Sequence, residues 1–189
     1  MSENKSEYTI HDEQSAPEKA KSLLKSSKED FGMIPNLHGI MAEAPTLLEG
    51  YQKLHALAQD TSFNKEELTV VWQTVNVEHE CHYCVPAHTG IAKNMGVDDA
   101  LIEALRNDET LSDNKLNVLK NAVLSVTRNR GRIDDDSLSE FFNVGYDRQQ
   151  LLEIVLILSQ KVMSNYTNHL ANTPVDEPFE KYKWNPEKV

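Results

Sequence analysis

The sequence predicts an all-α fold, and three observations carry that prediction. No segment of any length alternates polar and apolar residues with period two, whereas apolar residues recur at three- and four-residue spacing along most of the chain. Gly and Pro number only 7 each in 189 residues, a turn-poor composition. Helix-boundary residues punctuate the periodic runs, as Asn64 with Glu67, Gly96 followed by Asp98, and Ser137 with Glu140 show.

Each element follows in order. Residues 1–16 are polar and aperiodic, and read as a loose N-terminal arm ahead of a single helical domain over 17–189. Residues 17–30 form the first helix, with Pro17 in its first turn, Ala20, Leu23, Leu24 and Phe31 at helical spacing, and Gly32 as its stop. Ile34-Pro35-Asn36 is an extended connection, because a residue before proline is driven out of the helical region. Pro45 opens a run with Leu47, Leu48, Tyr51, Leu54, Leu57 and Ala58 on one face. Asn64 and Glu67 make a capping box for a helix that carries Leu68, Val71, Trp72 and Val75 and ends near His79. A helix over 83–95 ends at Gly96, a short one runs from the Asp98 cap to Arg106, and another covers 114–128. The acidic run 134–136 lacks the alternating ligands, central Gly and terminal Glu of a calcium loop. It reads as the carboxylate-rich start of a helix capped by Ser137 and Glu140. The last long helix covers 148–171, and the tail beyond Pro174 is irregular. Cys81-x-x-Cys84 and Asn165-x-x-Asn168 each follow a long amphipathic helix, an echo that suggests a duplicated helical hairpin.

Charge and hydrophobicity narrow the function. Against 19 Lys and Arg stand 30 Asp and Glu, a net charge of −11. Nucleic acids and anionic membrane surfaces are bound through clustered basic residues, so both are disfavoured as partners. The longest purely aliphatic stretch, 154–158, is far too short to span a bilayer. The polar start MSENKSEYTI does not read as a signal peptide, and a cytoplasmic location is expected.

The chemistry concentrates in residues 78–90, EHECHYCVPAHTG. Pro86 is tolerated only in a helix's first turn, so the helix begins within a residue or two of His82 and Cys84 lies in that turn. There the unpaired amides and the positive end of the helix dipole stabilise a thiolate. Cys81, Cys84 and His88 are three and four residues apart and share a helical face. His88 can take the Cys84 proton, and Cys81 is close enough to resolve an oxidised Cys84 as a disulfide. Zinc competes for the same residue types. A closed structural site needs four ligands, however, and no second CxxC or HxxxH exists, so neither a metal nor a cofactor is expected. Thioredoxin-like chemistry places CxxC in a βαβ context that this chain lacks.

The CHYCVPAH segment, the helix before it, the Gly96-Val97-Asp98 turn, the segment 32–36 and SNYTNHLANTP together resemble the carboxymuconolactone decarboxylase superfamily, in its alkylhydroperoxidase (AhpD-like) branch. The resemblance covers most of residues 32–179. It implies an AhpD-like helical bundle built around a CxxC-bearing hairpin, assembled as a homo-oligomer, often a trimer or hexamer. It also implies a peroxidase that cycles through a disulfide without metal or flavin. Carried over, Cys84 attacks the hydroperoxide, Cys81 forms the disulfide, His88 moves protons, and a dithiol reductant, protein or lipoyl-type, restores the thiols. The branch places a relay Glu twelve residues before its first cysteine, where this chain has Thr69, and a His before the second, where it has Tyr83. Glu78 is the carboxylate expected to take the relay. Lactone decarboxylation and a non-enzymatic scaffold are the rival readings. Neither needs a reactive pair of thiols.

Overall fold

A computed structural model describes residues 8–185. They form nine α-helices and a closing 3-10 helix, with no strand among the described residues. The helices are α1 (Glu18–Phe31), α2 (Asn36–Met41), α3 (Pro45–Gln59), α4 (Lys65–Glu78), α5 (Cys84–Asn94), α6 (Asp99–Arg106), α7 (Asn114–Arg128), α8 (Asp135–Asn143) and α9 (Arg148–Ala171), and the 3-10 helix spans Glu177–Tyr182.

Local chemistry accounts for the boundaries. Asn64 accepts the Glu67 N–H at 2.9 Å while Glu67 accepts the Asn64 N–H at 3.1 Å, the expected capping box. Asp147 and Gln150 repeat that exchange at the start of α9. Helix α8 begins earlier than its sequence suggests. Asp134 is the cap and accepts from the Ser137 N–H at 2.9 Å, so Ser137 lies inside the first turn. The acidic run does occupy the helix start, where its charge suits the dipole. Helix α2 was not expected. Its six residues follow directly on the extended Ile34-Pro35 step, and five of them are buried.

Helix α4 is the central element, packing on α5, α6, α7 and α9, while α3 lies along α9. One apolar cluster joins α4, α7, α8 and the first half of α9 through Val71, Trp72, Leu119, Phe141, Ile154 and Ile157. A second joins α1, α2, α3 and the start of α5 through Leu24, Met41, Leu48, Tyr51, Cys81 and Cys84. The cysteines are therefore built into a core rather than carried on a surface loop. Of the N-terminal arm, residues 1–7 lie outside the described residues, and the remainder is anchored. His11 N–H donates to the Gly39 carbonyl at 3.2 Å, and Ala16 is buried. Residues 175–185 are likewise ordered, with the 3-10 helix as a strap across α5, and residues 186–189 lie outside the described residues. No helix among the described residues is long and apolar enough to cross a membrane.

Candidate active site

The turn between α4 and α5 sets the cysteines. Helix α4 ends with Glu80 N–H bonded to the Val77 carbonyl at 2.9 Å and Cys81 N–H to the Asn76 carbonyl at 2.9 Å. This paired closure requires a left-handed residue, here Glu80 at φ 52°. The chain then turns into α5, whose first residue is Cys84. Cys84 N–H donates to Cys81 Sγ at 3.3 Å, and both thiols are free and buried.

An amide network fixes this turn from behind. Gln73 on α4 donates to the Val85 carbonyl and to Thr89 Oγ1, each at 3.2 Å. Asn76 donates to Gln73 at 3.0 Å and accepts from Asn165 of α9 at 3.0 Å. His79 Nδ1 lies 2.9 Å from Asn165 Oδ1, while His82 Nε2 reaches the Thr173 carbonyl at 2.9 Å. Neither imidazole is thus turned toward the thiols as a zinc ligand. Among the described residues no group of three or more His, Cys, Asp or Glu converges as a metal site.

Helix α9 supplies the face opposite the cysteines. Lys161, Ser164, Asn165 and Asn168 recur at positions i, i+3, i+4 and i+7, and all are fully buried. Asn168 Nδ2 donates to Cys84 Sγ at 3.2 Å and lies 3.9 Å from Cys81 Sγ. The residues that echo the cysteines in sequence therefore meet them in space. Lys161 Nζ lies 2.8 Å from His88 Nε2.

These contacts divide the two thiols. Burial works against ionising Cys84, but donation from the Cys81 thiol, the Lys161 charge, and the Ser164 and Asn165 side chains outweigh it and bring its pKa down to about 5. Cys81 goes the other way: burial and the adjacent Cys84 push it well up. His88 is held well below its ordinary value by burial and by the Lys161 charge, so it is neutral. An imidazolium beside the thiolate, expected from the spacing alone, is not what this site contains.

Cys84 opens onto a cavity of about 330 Å³ whose floor also includes His88, Lys161, Tyr51 and His55. Its walls are largely apolar, with Phe31, Met33, Leu37, Ile91 and Phe179. Cys81 is not among the lining residues. It lies behind Cys84 with no solvent exposure. Burial holds His38 down to about 3 and His55 down to about 4, so both line the cavity as neutral rings.

Three of the four residues singled out by sequence come together here: Cys81, Cys84 and His88. Glu78 does not. Its two carboxylate oxygens accept from Arg128 Nε at 2.8 Å and Nη2 at 2.6 Å, a two-pronged pair that ties α4 to the end of α7. Thr69, at the relay position, donates back to the Lys65 carbonyl at 2.7 Å. Tyr83 lines the same cavity as Cys84. Its hydroxyl donates to Asp176 of the strap. Sequence reasoning missed Lys161. The available signal was a polar stripe at helical spacing on a helix whose preceding turns are aliphatic.

No protein-family model matches the chain, and no curated protein matches it by sequence. Solved structures resemble it strongly in fold. An uncharacterised peroxidase-related protein with an alkylhydroperoxidase AhpD core, from Ralstonia eutropha JMP134, superposes with TM-score 0.81 at 16% identity over 94% of this chain and 96% of the other. A peroxidase-related protein from Silicibacter sp. TM1040 gives 0.75 at 18% identity over 95% and 97%. The debrominase Bmp8, as a cysteine-to-alanine variant with 2,3,4-tribromopyrrole, gives 0.72 at 15% identity over 94% and 95%. The fold is AhpD-like.

Proposed function

We propose that this chain, which carries the AhpD-like fold, is a thiol-dependent oxidoreductase that reduces hydroperoxides through Cys84 and Cys81. One observation carries the reading: a cysteine whose thiol is held well below its ordinary value faces a largely apolar cavity, while a second cysteine, whose thiol is pushed up, lies directly behind it. Cys84 thiolate attacks the outer peroxide oxygen. The S–O bond forms, the O–O bond breaks, and the alkoxide leaves as an alcohol on taking a proton. Cys81 then displaces water from the sulfenic acid, so the two thiols and ROOH become a disulfide, ROH and H₂O. A dithiol partner, protein or lipoyl-type, must return the two electrons. The apolar walls suit an organic hydroperoxide better than hydrogen peroxide. We also place the chain in the cytoplasm as a homo-oligomer, a trimer or hexamer by family resemblance.

The aromatic lining favours a second reading on the same thiols. Two electrons from the pair could instead replace an aryl carbon–bromine bond by carbon–hydrogen, releasing bromide and a proton. The structural likeness to a debrominase adds to that reading. Lactone decarboxylation makes no use of two thiols, and an inert scaffold leaves the depressed Cys84 without a role.

The deciding experiment is stoichiometric. One equivalent of cumene hydroperoxide added to the reduced protein should consume both thiols and yield one disulfide and one equivalent of alcohol. Thiols that survive the peroxide but are consumed by a brominated pyrrole, with bromide released, would give the site to dehalogenation. Thiols inert to both would sink the enzymatic reading.

A further inference from the structure

The two buried lysines among the described residues are neutralised in different ways. Lys120 has a carboxylate, Asp108 Oδ1 at 2.7 Å, and the Glu109 carbonyl at 2.8 Å. Lys161 has no solvent exposure, makes no ion pair with a carboxylate among the described residues, and meets His88 Nε2 instead. A buried ammonium without an anion is too costly to keep, so it must either lose its proton or find a negative partner. Cys84 and His88 face it from α5, Cys81 from the preceding turn, Tyr51 and His55 from α3, and His38 from α2. Two carboxylates, Asp30 and Asp176, also line the cavity, and Asp176 is already engaged by Tyr83 and by the Asn36 N–H at 2.9 Å. Burial lowers the Lys161 pKa, and the charge that opposes this first is the Cys84 thiolate.

The imidazole contact adds a second constraint. An ammonium has donors only, so at 2.8 Å His88 Nε2 must be the acceptor, and the single ring proton must sit on Nδ1. That Nδ1 is buried and has no hydrogen-bond partner, on a residue that lines the cavity. A buried N–H left unpaired is expensive unless a ligand takes it.

We infer that Lys161 is the counter-ion that holds Cys84 as a thiolate, and that its bond to Nε2 fixes His88 as the neutral Nδ1–H tautomer, which offers that N–H to an acceptor oxygen of the substrate. The charge assignment stands apart from the hydroperoxide reading; the substrate role rests on it. In the reaction, Cys84 attacks and the departing alkoxide takes the proton from Nδ1. Lys161 gives its own proton to Nε2. The step begins with a thiolate and an ammonium. It ends with a sulfenic acid, an alcohol, a neutral amine and the other neutral imidazole tautomer, and charge balances throughout. His88 relays a proton without ever becoming a cation.

The test contains no peroxide, so its failure is separable from failure of the proposed activity. In a Cys81→Ser background, thiolate absorbance near 240 nm is followed against pH. Lys161→Met should raise the Cys84 midpoint by one pH unit or more, a tenfold or greater loss of acidity, and Lys161→Arg should recover most of it. A folded Met variant with an unmoved midpoint would overturn the assignment. Should that variant not fold, ¹⁵N-histidine NMR of the unaltered protein decides. The His88 signals should show a protonated Nδ1 and a bare Nε2 at pH 7, and a proton on Nε2, or on both nitrogens, would overturn it.

Discussion

Cys81 and Cys84 are three residues apart and equally withdrawn from solvent, at 0% and 2% exposure, yet they are opposite in acidity. The CxxC spacing and Pro86 were enough to place Cys84 in a first helical turn. They could not reveal what lies across the bundle, because Lys161 and Asn168 arrive from a helix that begins 64 residues after Cys84. Nor could they show that Glu78 is engaged by Arg128, since that pairing depends on how α4 meets α7. The rate of iodoacetamide alkylation of Cys84 should rise with pH through a midpoint well below that of an ordinary thiol. In Asn168→Ala the thiolate loses a charge-assisted hydrogen bond of about 1.5–3 kcal/mol, which moves that midpoint up by about one to two pH units. An unmoved midpoint would show that Asn168 only packs. Cys81→Ser should stop at a sulfenic acid trappable by dimedone, and Cys84→Ser should react with peroxide only slowly. Peroxide reactivity that followed Cys81 instead would reverse the two roles.

At the level of the elements, helix type and order were legible because the amphipathic runs are bounded by capping side chains, first-turn prolines or closing glycines. Misreadings fell where local patterns compete. The Ser137 and Glu140 pair imitates a capping box, but Asp134, three residues earlier, accepts from both the Ser137 N–H and the Ser137 hydroxyl. The short α2 has too few residues for periodicity to show. The α4–α5 turn offers a direct test. Glu80 holds a left-handed conformation that costs a side-chain-bearing residue about 1 kcal/mol, so Glu80→Gly should stabilise the fold by roughly that amount in urea titrations. Gly90 tests the strap. A Cβ there would stand 2.5 Å from Phe179 Cε1, closer than atoms pack. Gly90→Ala should therefore lift Phe179 off α5, and limited proteolysis should cut the segment around 177–182 faster than in the unaltered protein. An unchanged cleavage rate would mean that the strap re-seats around the methyl group.

Over the whole molecule, three buried histidines and Cys84 act in one direction on stability, and Asp176, raised by burial, opposes them. His38, His55 and His88 are neutral in the folded state because burial disfavours their charged forms, whereas the unfolded chain binds protons to them below about 6.5. The unfolded state then holds the extra protons, so stability falls as the pH drops below about 6.5, by up to about 1.4 kcal/mol per pH unit for each group. Cys84, depressed when folded, adds the same sign: its contribution is full above the unfolded thiol value and is lost as pH falls toward about 5. Urea midpoints should decline clearly between pH 7 and pH 4.5, and a flat profile would mean that these groups titrate normally in the fold. Assembly is testable at the same scale. Leu152, Tyr166 and Leu170 on α9 and Leu57 on α3 are 70%, 52%, 74% and 52% exposed, apolar surface suited to a second copy. Light scattering should return a multiple of 21.4 kDa, and a monomer mass at micromolar concentration would rule out the oligomer.

Tyr83 stands between the two cysteines in sequence, and its hydroxyl is bound to Asp176, which also holds the start of α2 through the Asn36 N–H. Three residues beyond Asp176, Phe179 forms part of the cavity wall. A change of shape in the turn at 81–84 would therefore be carried through Tyr83 to the segment that bears Phe179. Two withdrawn sulfurs are thus joined, through one buried phenol and one buried carboxylate, to the segment that packs across α5.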